Sequence, residues 1–189
     1  MKNTQTKVQI GGGKHALEGY LNIDIIPPAN LVYDIRKGIP LDDSTVELIF
    51  TEHLLEHLEY PRSVKNLIKE CHRVLKPRGK LIVGVPDSEK MIRAYVKRDP
   101  KFFKKLMKLW YSKRDIVGDI NTYIDLLNLH FRDQYKNKKY SQHLWAYDKE
   151  KLTSLFKEVG FRKVKKWKFD NKIANPKRKF GSIYCEAIK

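Results

Sequence analysis

The sequence predicts an α/β protein on one seven-stranded, mostly parallel sheet, with an antiparallel last strand, helices on both faces and a helical cover insertion. Three observations point there. Apolar runs of three to five residues, each closed by glycine, proline or polar residues, recur through the first half of the chain. An amphipathic helical stretch then joins two apolar runs, the second without alternation, as in a parallel strand buried on both faces. Two β-like runs end the chain, close enough for an antiparallel connection.

In order, Val8 to Ile10 stops on Gly11-Gly12-Gly13, Asn22 to Ile25 is closed by Pro27-Pro28, and Leu31 to Ile35 and Val46 to Phe50 follow. Beyond Pro61, the residues Val64, Leu67, Ile68, Cys71, Val74 and Leu75 recur at helical spacing, and Pro77 with Gly79 predicts the helix end. Leu81 to Val85 is the fifth strand. Asp148 can cap a helix with Leu152, Leu155, Phe156 and Val159 on its core face and Gly160 at its end. Phe161 to Phe169 and Ser182 to Ile188 complete the sheet. Residues 88–147 lack any clear strand and hold 11 of the 21 aromatic side chains. Within them Phe102, Phe103, Leu106, Met107 and Trp110 form a stripe opposite Lys101, Lys104, Lys105 and Lys108, read as a core face beneath solvated lysines, with a cover over an active site or a surface for an anionic partner as the alternatives. The chain is thus expected to be one domain, residues 1–189, with a basic, aromatic, helical insertion at about 88–147.

Composition narrows the function. The 189 residues are 41% hydrophobic and carry 39 Lys+Arg against 22 Asp+Glu, a net charge of +17, which favours anionic partners. Residues 1–100 net only +3 and residues 101–189 net +14, so the charge belongs to the second half. Within that half, residues 161–180 alone net +8. No run of about 18 apolar residues is available to span a bilayer, and the polar start predicts neither a signal peptide nor an anchor, hence a cytoplasmic location. Cys71 and Cys185 are too few for a disulfide framework or a four-cysteine zinc site and read as small buried residues.

A glycine triplet directly after the first strand lets the backbone turn tightly and approach a ligand at the carboxyl edge of the sheet. Asp24, ending the second strand, can accept both hydroxyl hydrogens of a ribose. Only ten residues separate Gly13 from Asp24, too few for the phosphate-binding helix of a dinucleotide site. The expected ligand is a nucleoside without a pyrophosphate.

Four segments, VQIGGGKHALEGYLNIDI, VYDIRKGIPLDDSTVELIFTEHLLEHL, LIKECHRVLKPRGKLIVGVPD and HLWAYDKEKLTSLFKEVGF, resemble successive motifs of Rossmann-like class I S-adenosylmethionine-dependent methyltransferases, most nearly the type 11 group of predicted enzymes. The resemblance covers residues 7–87 and 143–188. It implies that Gly11, Gly12 and Gly13 line the cofactor loop and that Asp24 with Ile25 meets the ribose. It also implies that Asp34 with Ile35 meets the adenine amino group and that Thr51 and Glu52 stand beside the methionine portion. Gln9 stands where the family often has an acidic residue, and the helix after the glycines is truncated to a turn.

His53-Leu54-Leu55-Glu56-His57 has the spacing of an inverted zinc-peptidase helix, but it follows a buried strand and Pro61 interrupts it. It also resembles the Glu-x-x-Glu-His of metal-dependent methyltransferases, which implies His53, Glu56 and His57 as ligands if a metal is used. Two histidines tilt such a set away from magnesium, toward zinc, iron or manganese. The favoured reading uses no metal and gives Glu56 and His57 capping or hydrogen-bonding roles.

Methyl transfer needs an aligned acceptor and, for a hydroxyl or amine, a base; His53 is the first choice and His143 the second, with His130 also in the cover segment. The absence of an amine-type motif after the fourth strand tilts the expectation toward oxygen methylation. The preferred acceptor is an anionic small molecule, lipid or saccharide. Nucleic acid is the alternative, read from the basic and aromatic second half. A noncatalytic binding protein on a degenerate fold is the second alternative, opposed by the retained glycines, Asp24 and Asp34.

Overall fold

A computed structural model describes residues 6–111, 119–132 and 142–189. Its sheet contains β1 (Lys7–Ile10), β2 (Leu21–Asp24), β3 (Leu31–Val32), β4 (Val46–Glu52), β5 (Leu75–Pro86), β6 (Lys163–Lys166) and β7 (Ser182–Ile188). The lateral order is β3-β2-β1-β4-β5-β7-β6, and β7 alone runs antiparallel to both neighbours. The chain steps outward from β1 to β3 and returns to β4 on the other side of β1. That reversal leaves a crevice at the carboxyl ends of β1 and β4, where open α/β sheets bind ligands.

The two faces of the sheet are covered differently. On one, Val8, Ile23, Ile49, Leu81 and Val83 pack with α1 (Arg62–Val74) and α5 (Lys149–Val159). The α1 face is the predicted Val64, Leu67, Ile68, Cys71 and Val74, all buried, and each such side chain contributes about 2 kcal/mol of burial free energy. The other face carries Tyr20, Phe50, Ile82 and Tyr184, and its apolar cover is Trp167, Phe169, Ile173 and Ala174. Helices were expected on both faces; on this one, loop residues between β6 and β7 do the covering. The short path from Gly13 to β2 accounts for it, because residues 14–20 form turns rather than a helix.

Several boundaries also differ from those expected. Helix α1 stops at Val74, ahead of Pro77, because a residue preceding proline resists helical torsions and Leu75 already pairs with Val46. Strand β5 therefore absorbs Pro77 and Gly79. Strand β3 is only two residues long, and Ile35 begins a 3-10 turn, Ile35–Lys37. Helix α5 has the anticipated ends: the Lys151 N–H donates to Asp148 Oδ1 at 2.7 Å, and Gly160 adopts φ 109°. Both cysteines are buried free thiols.

The insertion contains α2 (Ser88–Val96), α3 (Pro100–Trp110) and α4 (Tyr123–Arg132), capped at α2 and α3 by Asp87 and Asp99. Met91, Ala94, Phe103, Leu106 and Leu129 give these helices a core of their own. Of the anticipated stripe, Phe103 and Leu106 are buried while the four lysines opposite them are exposed. Residues 112–118 and 133–141 of the expected cover lie outside the described residues.

Candidate active site at the carboxyl edge of the sheet

The glycine loop is fixed by its own backbone. Gly11 has φ +72°, and a Cβ there would lie 3.0 Å from the Leu54 side chain. Glycine thus allows the loops after β1 and β4 to close on each other. Gln9 holds the turn that replaces a helix: its Nε2 donates to the His15 carbonyl at 3.0 Å and its Oε1 accepts from the Leu17 N–H at 2.8 Å. At the end of β2, Asp24 Oδ2 accepts from the Gly13 N–H at 2.8 Å and Oδ1 from the Ile26 N–H at 3.2 Å. These bonds set the carboxylate against the glycine loop.

Glu52 ends β4 with 9% of its surface exposed. Tyr184 Oη donates to its Oε1 at 2.6 Å, Arg178 Nη1 donates to its Oε2 at 3.2 Å, and the Asn175 N–H reaches both oxygens at 3.3 Å. Burial first, then the Glu52 charge, push the Tyr184 phenol well above its ordinary range, so it remains a donor. A cavity of about 290 Å³ is lined by Gly11, Gly12 and Glu52 and by Lys172, Asn175 and Arg178. Arg178 and Asn175 were not anticipated. Their only sequence signal is the basic loop between the last two strands, and they meet Glu52 across more than 120 residues.

The remaining expected cofactor residues are dispersed along the same edge. Thr51 is buried at 2% exposure, and its Oγ1 has no hydrogen-bond partner among the described residues. Ile25, just past the end of β2, is 62% exposed, and its neighbour Ile26 and Val32 at the end of β3 are exposed too. Ile35, by contrast, belongs to the core. Asp34 caps the 3-10 turn and is clamped by Arg36, whose Nε and Nη2 both donate at 2.8 Å. That guanidinium and the Arg36 N–H hold the Asp34 carboxyl down at about 2.

His53 follows Glu52 with a left-handed backbone, φ +55°. Its Nε2 lies 2.8 Å from Ser182 Oγ, its Nδ1 lies 3.5 Å from Glu56 Oε1, and its ring meets Trp110 edge-on. Burial, then the Arg178 charge, hold it well below the ordinary histidine range and hence neutral. The motif forms a single 3-10 turn, Leu55–His57, rather than a peptidase-like helix. Across from it His143 is buried; its Nδ1 lies 2.7 Å from the His130 carbonyl oxygen, and its ring packs against His57. Burial lowers His143 to about 4 and His130 to about 3. The structure therefore groups Glu56 and His57 with His143, while His53 faces Ser182.

The type 11 methyltransferase-domain family matches residues 19–83, from the approach to β2 through most of β5. The same fold recurs in an S-adenosylmethionine-dependent methyltransferase of Thermotoga maritima, with a TM-score of 0.54 and 16% identity over 97% of this chain and 81% of that one. The chain has the fold of class I methyltransferases and carries, over residues 19–83, a stretch similar to the methyltransferase-domain family. A solved protein of Archaeoglobus fulgidus with this fold, 16% identical and with a TM-score of 0.52, is likewise an S-adenosylmethionine-dependent methyltransferase. A methyltransferase of Burkholderia thailandensis acting at N1 of 1,6-didemethyltoxoflavin, solved with that compound and S-adenosylhomocysteine, has a TM-score of 0.51 and 11% identity, covering 97% of this chain and 70% of its own. An uncharacterized protein of Methanocaldococcus jannaschii is 32% identical over 71 residues, 38% of this chain. The aligned stretch spans 30% of that relative's length. No described helix is long and apolar enough to cross a membrane.

Proposed function

We propose that this methyltransferase domain binds S-adenosylmethionine at the glycine-loop edge and transfers its methyl group to an oxygen of an anionic small molecule, lipid or saccharide. The observation that carries the reading is the cavity that Gly11 and Gly12 line together with the paired Glu52 and Arg178. An acid and a base side by side suit the ammonium and carboxylate of an amino acid. The buried Thr51 hydroxyl at the same edge, without a partner among the described residues, offers a further polar contact. Exposed Ile25, Ile26 and Val32 offer an apolar ledge for a flat purine beyond Asp24.

When bound, the cofactor supplies a methyl group on a sulfonium, open to in-line displacement. Glu52 holds the ammonium, Arg178 the carboxylate and Asp24 the ribose hydroxyls, so the reacting carbon is positioned by charges at both ends. Asp34 reaches the adenine amino group on exchanging its contact with Arg36. His53 accepts the acceptor's proton at Nε2, its Nδ1 facing Glu56 and Ser182 Oγ taking the Nε2 position at rest. Transfer would make the carbon–oxygen bond at the expense of the carbon–sulfur bond, the electron pair going to sulfur. We place His143 in a positioning role, since its ring is committed to the His130 carbonyl.

Calorimetry with S-adenosylhomocysteine on the wild type and on Asp24→Ala tests the cofactor half of the reading. The variant is expected to lose binding, and an unchanged affinity contradicts the ribose contact. His53→Ala is expected to leave that affinity intact while methyl transfer falls about a hundredfold or more.

A second reading, transfer to nucleic acid, is favoured by one observation. A groove of about 870 Å³ on the loop-covered face is lined by Lys7, Lys80, Lys168 and Lys179 with Trp167 and Phe169. Lysines track phosphates and aromatic rings stack on bases. Weak binding of a random oligonucleotide at low salt rejects it.

A further inference from the structure

Outside the cavity the densest chemistry is a histidine cluster about one buried carboxylate. Glu56 is 1% exposed, and one ligand atom from each of Glu56, His57 and His143 lies within 4.8 Å of the others. The 3-10 turn sets Glu56 beside His57, and the Leu144 and Trp145 N–H groups donate to the Glu56 carbonyl at 2.6 and 3.3 Å. Those two backbone bonds hold the segment carrying His143 against the turn. The rings of His57 and His143 are 4.9 Å apart.

We propose that Glu56, His57 and His143 form a binding site for one divalent transition-metal ion of the zinc class, joining the loop after β4 to the segment that leads from the helical insertion into α5. The donor set decides the class of ion. Two imidazole nitrogens and one carboxylate oxygen are ligands for zinc or iron, whereas magnesium and calcium take oxygen shells. The surroundings prepare the imidazoles. His143 Nδ1 donates to the His130 carbonyl and His57 Nδ1 to the Gln142 carbonyl, at 2.7 and 3.2 Å, which fixes Nε2 as the basic nitrogen of each ring. Metal-bound histidines are held by such bonds. The set differs from the His53, Glu56 and His57 expected from the motif, because His53 turns its Nε2 to Ser182. Three protein ligands leave a fourth position for water or an acceptor oxygen.

The test uses the full chain without a polyhistidine tag, stripped with EDTA and titrated with Zn²⁺ by calorimetry and with Co²⁺ by visible absorption. One ion per chain is expected, with d–d bands of a low-coordinate nitrogen and oxygen site and a higher unfolding temperature in Zn²⁺ than in EDTA. His143→Gln and Glu56→Gln are each expected to weaken binding at least tenfold, and His72→Ala, on α1, to leave it unchanged. No saturable site in the wild type overturns the proposal, as does undiminished binding in His143→Gln. If His143→Gln does not fold, the wild-type Co²⁺ spectrum decides: tetrahedral d–d bands support the site, and a spectrum of aqueous ion overturns it. S-adenosylhomocysteine binding is measured separately, so either claim can fail alone.

Discussion

Three donors converge on the Glu52 carboxylate, and all come from residues 175 to 184. Burying a carboxylate requires such compensation, but three donors on one acid also pre-set it beside a ligand. If Arg178 grips the amino-acid end of the cofactor, losing its charge-assisted bonds costs about 2 kcal/mol. Arg178→Gln is therefore expected to weaken S-adenosylhomocysteine about thirtyfold, a factor equivalent to that free energy. The affinity of 5'-methylthioadenosine, which lacks the amino-acid end, stays as it was, and calorimetry with the two ligands separates the effects. Equal losses for both would place Arg178 in a purely structural role. Gly11, Asp24 and Glu52 could be named from the sequence because Gly11 follows β1 directly and Asp24 and Glu52 end β2 and β4. Arg178 was not, since its partner lies 126 positions away in the chain. His143 was named as a base from its chemistry alone, and only the packing against His57 puts it with Glu56.

Elements followed local pattern where one face is apolar and went astray where neighbours decide. Helix α1 and the caps of α5 could be read from spacing, Asp148 and Gly160. The start of β5 could not, because Leu75 leaves the helix to pair with Val46 and Pro77 supports that exit. The β3 run was shortened for a similar reason: Asp34 caps a turn through Arg36 and leaves only Leu31 and Val32 to pair. Helix α1 is also tied to the β3–β4 connection, since Glu70 accepts from the Ile39 N–H at 2.9 Å and from Arg73 at 2.7 Å. Bonds from Arg73, more than the Ile39 N–H, lower the Glu70 pKa. Its stabilising contribution is thus fully present above the unfolded glutamate value of about 4.3 and is lost as pH falls through the lower folded value. Glu70→Gln is expected to destabilise the fold by about 1 to 3 kcal/mol at pH 7, and by less at pH 3, in urea unfolding followed by circular dichroism. An equal loss at both pH values contradicts the assignment.

Across the molecule, the seven-stranded, mostly parallel sheet and the antiparallel β7 were legible because βαβ units and a short final connection permit few arrangements. The covering of the second face was not, since nothing local tells a loop rich in Trp167, Phe169 and Ile173 to lie over Phe50 and Tyr184. That loop carries part of the +8 of residues 161–180 and borders both the large groove and the cavity through Lys172 and Pro176. The positive charge of the second half is thus divided between the insertion and this loop. If the loop serves phosphates, Lys168→Glu with Lys179→Glu lowers oligonucleotide affinity and flattens its salt dependence, leaving S-adenosylhomocysteine affinity unchanged. Both effects are read by fluorescence anisotropy and calorimetry.

Whether the carboxyl edge between β1 and β4 holds the cofactor is decided by calorimetric titration of the folded wild-type chain with S-adenosylhomocysteine. Saturable binding of one molecule per chain is expected, and its loss in Asp24→Ala. No heat of binding by the folded protein, with or without added Zn²⁺, would contradict a cofactor site there.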